Sequence, residues 1–389
     1  MNEMRTSMPA GRPAHDISEI AKRYDRVALV LQGGGALGAY QVGVYQALAE
    51  ARCEPNWISG VSIGAINSAI IAGNAPRNRL SRLESFWQII SGRKIWAYTP
   101  EGDVFRDMRN RTSSLMTLLM GQPGFFQTRP VNPWLQLPGA DGATSFYDSS
   151  TLRSTLENLV DFDLLNSGAM RLSVGAVNVR TGNFVYFDTE KQRIGPEHIM
   201  ASGALPPALP PVKIEGEYYW DGGIVSNTPL QYLLELDENV SSLVFQVDLF
   251  SARGSLPRSM PDVLCRHKDI MYSSRTRQNT DAFARTHKLK MQLVAALKRV
   301  PADQLTDGDR KVIAEMDNPG GVNIVHLIYQ HKNYEGHASD YEFSGTSMRE
   351  HWESGYEDTL RTLRHPEWLK RSLIEQGVSI HDLHREDPT

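Results

Sequence analysis

The stretch LVLQGGGALGAYQVG, residues 29–43, decides how the rest of the chain is read. An apolar run stops at three consecutive glycines and resumes with helical spacing, which predicts a strand, a tight turn and a helix N-terminus. Backbone N–H groups at such a turn point outward without partners, so the place suits negative charge. Gly33, Gly35 and Gly38 fit the Gly-x-Gly-x-x-Gly spacing of a dinucleotide site. The same geometry suits the transient oxyanion of an ester under attack.

Working outward, residues 26–32 read as a buried parallel strand. Tyr40, Val44, Ala47, Leu48 and Ala51 fall on one face of the following helix, which ends before Pro55. Residues 57–61 predict a second strand, and residues 63–72 a helix that is apolar nearly all round and so must be buried. This alternation argues for an α/β sheet with helices on both faces. Residues 171–179 and 184–187 predict paired strands around the turn Arg180-Thr181-Gly182-Asn183, and further strands are expected at 243–249 and 322–329. Between 77 and 144 the pattern loosens, with Leu115, Met116, Leu118, Leu119, Met120, Phe125 and Phe126 among prolines and glycines. That stretch suits either a lid over an apolar pocket or an insertion with its own small core. Residues 337–363 read as helical, without a chemical motif.

With 389 residues and 41% hydrophobic content, the chain can build one large domain or a domain with an attached unit. A net charge of -4 gives no reason to expect nucleic acid. The two cysteines, Cys53 and Cys265, are too few for a disulfide framework, show no zinc-ligand spacing, and are expected to be buried thiols. No metal or cofactor is expected. Residues 1–24 form a polar tail without the apolar core of a secretory signal. No window approaches the roughly 18 uninterrupted apolar residues of a membrane span, so the expectation is a soluble cytoplasmic protein. Between Pro261 and Val300 nine Lys/Arg face three acids in helix-like sequence. This run fits a solvated helix face, or a peripheral contact with an anionic membrane surface. The oligomeric state is not legible.

The chemistry lies two dozen residues beyond the glycine turn, in ISGVSIGAIN (58–67), where Gly60, Ser62 and Gly64 make Gly-x-Ser-x-Gly. This spacing serves a sharp strand-to-helix turn that holds one side chain exposed and strained between small neighbours. A helix-capping serine needs no such glycines, so Ser62 reads as a nucleophile. A dinucleotide site expects an acid at the end of the second strand, and here that strand ends in Gly60-Val61-Ser62. The glycine loop therefore reads as an oxyanion hole, joined by the N–H of Ile63 and the positive end of the helix it opens. Two bases are available to the serine. His326, in VNIVHLIYQ, fits the chain order of an α/β-hydrolase triad; Asp221, in EYYWDGGIVSNTPL, is an acid at a strand end.

GGGALG at 33–38, GVSIG at 60–64 and DGG at 221–223, in this order and approximate spacing, resemble the patatin-like phospholipases; ASGALPPALPPV (201–212) is similar as well. The resemblance covers roughly residues 25–250. It implies a three-layer α/β/α fold with a mainly parallel central sheet over 25–250, its sheet completed by 320–330, and a largely helical C-terminal extension over 251–389. It also implies a Ser-Asp dyad of Ser62 and Asp221, and an oxyanion hole from Gly33, Gly34, Gly35 and Ile63. Gly38, Gly60, Gly64, Gly222 and Gly223 would support these motifs. The activity implied is hydrolysis of phospholipid or lysophospholipid esters through an acyl-enzyme. Many members carry Arg or Lys where this chain has Leu37, so a basic side chain beside the loop is missing here. From about Arg253 the chain resembles an extension found in a bacterial subset of the family. The competing classes are a histidine-dependent esterase, a nucleotide-binding oxidoreductase and a lipid-binding scaffold with little catalysis.

An aspartate of ordinary pKa is a poor base for a serine hydroxyl. Desolvation would make it a better one, and Tyr218, Tyr219 and Trp220 beside it suggest an apolar setting.

Overall fold

The computed structural model describes residues 15–91, 120–236, 240–316, 320–331, 339–370 and 378–383. The apolar run that opens the glycine loop is strand β1 (Arg26–Leu31), buried at every position and flanked on both edges by parallel neighbours. Those neighbours are β2 (Trp57–Gly60) and β9 (Ser242–Asp248). Further strands along the chain are β3 (Gln127–Thr128), β4 (Tyr147–Asp148), β5 (Arg171–Asn178), β6 (Phe184–Asp188), β7 (Val212–Ile214), β8 (Glu217–Asp221), β10 (Val322–Ile328) and β11 (Val378–Asp382). One nine-stranded sheet runs β11-β10-β9-β1-β2-β5-β8-β7, with β6 also on β5. It is parallel from β11 to β5 and antiparallel beyond. β3 and β4 form a separate two-stranded ladder.

Residues beyond 250 share this sheet and its core. β10 and β11 extend it past β9, and helix Gly345–Thr362 packs along helix Ala39–Glu50. Two glycines permit that approach: a Cβ on Gly43 would sit 1.9 Å from the Trp352 carbonyl oxygen, and one on Gly355 would sit 2.0 Å from that of Tyr40. Tyr40 then donates to Asp358 (2.9 Å) and Trp352 to Gln46 (2.7 Å) across the contact. The single apolar face expected for helix 39–50 is therefore too narrow. The helix lies between the sheet and a second helix, so Gln41, Gly43 and Gln46 are buried too.

Helix Ile63–Ala72 is buried throughout, as an all-round apolar helix must be. The loose pattern expected from residue 77 is instead a helix, Pro76–Ser91, with proline at its start and Leu83, Phe86, Trp87 and Ile90 buried at helical spacing. The proposed lid falls in part on 92–119, outside the described residues. Of its described part, Phe125 packs against Phe126 and Phe343, so it joins the main core.

Candidate active site

Sheet register brings the site together. Val174 of β5 has Gly60 of β2 on one side and Phe187 of β6 on the other; Ala176 has Asp221 of β8 on one side and Val185 of β6 on the other. A strand has two edges, so β2 and β8 share the edge that β6 leaves open. β2 runs parallel to β5 and β8 antiparallel, so their C-terminal ends point at each other across the gap beside Gly175. Ser62 follows one end and Asp221 closes the other.

The serine turn has the geometry its glycines anticipate. Ser62 adopts φ 57° and ψ -124°, a left-handed conformation uncommon for a residue with a side chain, and its hydroxyl makes no capping bond to the helix it precedes. A Cβ on Gly60 would lie 2.4 Å from the Gly64 backbone, and one on Gly64 would lie 2.3 Å from the Leu31 carbonyl oxygen. The elbow is thus clamped against the end of β1. The Ser62 N–H donates to Ser202 at both its carbonyl (3.2 Å) and its Oγ (3.1 Å), and Ser202 Oγ donates to the Gly175 carbonyl in the gap (2.6 Å).

Asp221 lies by the Ser62 hydroxyl, which acts to hold its carboxyl pKa down, and its carboxylate accepts the Gly223 N–H at 2.7 Å. Asp221 is only 2% exposed. Burial pushes its pKa up to about 6, against the opposing effect of these two groups. A Cβ on Gly222 would lie 2.7 Å from the Gly175 carbonyl oxygen, so this turn also depends on a glycine.

The glycine loop lies against both. A Cβ on Gly33 would be 3.0 Å from that of Ser62 and 2.4 Å from Asn227 Oδ1. Asn227 ties the loop to the Asp221 turn, donating from Nδ2 to the Gly33 carbonyl (2.9 Å) and accepting the Gly33 N–H at its own carbonyl (3.3 Å). The Gly33 N–H is therefore engaged within the protein here. Among the described residues, the N–H groups of Gly34, Gly35 and Ile63 have no acceptor. Gly35 has φ +55°, and a Cβ there would lie 2.2 Å from the Asp340 carbonyl oxygen. The chain beyond 250 thus forms one wall of the loop. Leu37 is fully buried in the core. Gly38 meets the elbow helix, since a Cβ on it would lie 2.5 Å from Ile63.

The other candidate base is elsewhere. His326 lies in register with Gln246, Val30 and Ser59, three strand spacings from β2, about 14 Å in all. Its Nδ1 is 3.5 Å from Asp248, so it is not among the residues brought to the Ser62 elbow. Asn227 and Ser202 were missed from sequence although both sit within motifs singled out there. Neither residue type signals a clip between two loops before the loops are seen together.

An α/β protein with a strained serine at a strand-to-helix elbow, facing a buried acid, defines the class. Sequence comparison gives the family. The chain matches the patatin-like phospholipase family over residues 29–234 and a second family described as patatin phospholipase over residues 270–373. It belongs to the patatin-like phospholipases. It is 27% identical over 258 residues to lysophospholipase nte1 of Aspergillus terreus, covering 64% of this chain and 14% of that protein. It is also 27% identical over 221 residues to patatin-like phospholipase domain-containing protein 7 of Rattus norvegicus, covering 55% of this chain and 13% of that one. The chain therefore spans a small part of the length of these relatives. Among solved structures, VipD from Legionella pneumophila aligns over 93% of this chain and 72% of its own, with 16% identity and a TM-score of 0.40.

Proposed function

We propose that this chain hydrolyses carboxylic esters of phospholipids or lysophospholipids through a dyad of Ser62 and Asp221. The observation that carries this reading is the convergence of the strained Ser62 elbow and the buried Asp221 carboxylate, its pKa lifted to about 6, at the facing ends of β2 and β8. At neutral pH that carboxylate is ionised, yet it holds a proton better than an exposed aspartate does. Ser62 Oγ attacks the ester carbonyl while its proton passes to Asp221. The tetrahedral oxyanion is met by the free N–H groups of Gly34, Gly35 and Ile63, at the positive end of the elbow helix. Collapse expels the alcohol, protonated from Asp221, and leaves an acyl-serine; water activated by the same carboxylate releases the fatty acid.

Labelling with a fluorophosphonate probe and fatty-acid release from lysophosphatidylcholine test this. Ser62→Ala is expected to lose both, Asp221→Asn to lose about a thousandfold in turnover, and His326→Ala to keep both. Full turnover in Ser62→Ala, or a dead His326→Ala beside an active Asp221→Asn, sinks the dyad.

The family relationship supports a lipid substrate, and we propose peripheral contact with an anionic membrane. In helix Met260–Leu297, Met260, Val263, Leu264, Ile270 and Met271 are exposed while Asp269 and Ser273 are buried, so apolar side chains face outward near basic ones. No helix among the described residues is long and apolar enough to cross a membrane. Sedimentation with vesicles should be stronger for anionic than for neutral lipid and weaken with salt. Equal sedimentation with both counts against this contact.

A further inference from the structure

The inward face of helix Met260–Leu297 carries Cys265 and Asp269, one turn apart, against His331, which follows the end of β10. Their ligating atoms all lie within 4.8 Å of one another, and His331 Nε2 is 3.2 Å from Asp269 Oδ1. Asp269 is 8% exposed, and the neighbouring Lys268 does not serve it, turning instead to Asp340 at 2.7 Å. The His331 ring is set edge-on against Tyr329, with centroids 5.4 Å apart. We propose that Cys265, Asp269 and His331 form a three-residue site for a divalent ion of the zinc class.

The donor set favours that class. A thiolate and an imidazole exclude the hard ions magnesium and calcium, whereas sulfur, nitrogen and carboxylate oxygen together suit tetrahedral zinc or cobalt with water in the fourth position. Metal–ligand bonds of about 2.0–2.3 Å require the three donors to move inward by only about half an ångström. Binding converts the Cys265 thiol to a thiolate and releases its proton to solvent. The ion would join the long helix to the end of β10. It would do so beside Lys268 and Asp340, whose backbone walls the glycine loop.

The test is titration of the full, chelator-treated chain with cobalt(II). One equivalent should bind and give a near-ultraviolet thiolate-to-cobalt charge-transfer band, which zinc(II) then displaces. Cys265→Ser should lose the band, and Asp269→Asn and His331→Ala should each weaken binding at least tenfold. Cys53→Ser, at a buried thiol whose pKa burial pushes up to about 12, should change nothing. Circular dichroism checks that each variant is folded, and Asp269→Asn, which changes shape least, decides the matter if another variant is not. A wild-type chain that takes up neither ion overturns the site, as does a charge-transfer band that survives in Cys265→Ser. The readout is spectroscopic, so it stands apart from the fate of the Ser62 mechanism.

Discussion

Strand β5 carries a buried acid beside each of its ends, and the two are treated in opposite ways. Near its start Ser173 pairs with Asp188, and near its finish Ala176 pairs with Asp221. Asp188 is fully buried and surrounded by donors: Arg171 from Nε and Nη2 (3.1 and 2.9 Å), Ser173 Oγ (2.8 Å), the Tyr232 hydroxyl (3.0 Å) and the Glu190 N–H (2.9 Å). Burial works to raise its pKa, but those bonds and the Arg171 charge outweigh it and hold the carboxyl below its usual range. Arg171 in turn stacks on Trp57, 3.8 Å from the ring centroid. Among the described residues, Asp221 has the Ser62 hydroxyl and the Gly223 N–H, and no cation, to ease its charge, so burial prevails and the pKa rises. A cation makes a buried carboxylate an anchor. Without one, the carboxylate retains affinity for a proton, which is what a base for serine requires.

The contrast can be broken at either end. The largest effect on stability is expected for Asp188→Ala, which empties a buried cluster of donors and leaves Arg171, its side chain 12% exposed, with the more exposed Glu190 as its remaining acidic partner among the described residues. The loss by urea unfolding should be about 3–5 kcal/mol, with the pH profile of turnover unchanged in shape. A cost near zero would mean that the pair is not the anchor described. Next comes Asp221→Asn, which should trade activity for stability. The folded-state pKa of about 6 lies above the ordinary 3.8, so the folded chain binds more protons across that window. This carboxyl's contribution is fully present below the ordinary value and is lost as pH rises through about 6. Removing the charge should therefore stabilise the protein at pH 7.5 by up to about 3 kcal/mol, and by nothing at pH 3. A variant less stable than wild type at both pH values would overturn the account of Asp221. The same shift places the acidic limb of turnover in the free enzyme near pH 6; a limb at 4 would make the aspartate an ordinary one.

Much of this was legible in the sequence wherever a residue type is demanded by backbone geometry. Gly60 and Gly64 are forced because a Cβ on them would lie 2.4 and 2.3 Å from backbone atoms, so Gly-x-Ser-x-Gly announces the elbow from sequence. The helix of residues 63–72 was equally plain, because an apolar sequence with no polar face has one place to go. Helix Pro76–Ser91 was hidden by its polar residues, although its buried positions keep helical spacing. Among the site residues, Gly33 shows the limit of motif reading. A glycine run shows that N–H groups are turned outward, but not that Asn227, almost two hundred positions on, has taken one of them.

The sequence by itself determined the elbow, the glycine loop and the α/β alternation, since each follows from spacing within a few residues of one another. It left the base open between Asp221 and His326. Only the tertiary structure decided which of the two lies beside Ser62, because that rests on which strand meets the end of β2 along the open edge of β5. The same holds for Cys265, Asp269 and His331, whose convergence depends on where a long helix lies against the end of a strand. Local geometry is encoded by the few residues that must satisfy it, whereas register and packing are settled by the burial of the whole chain at once.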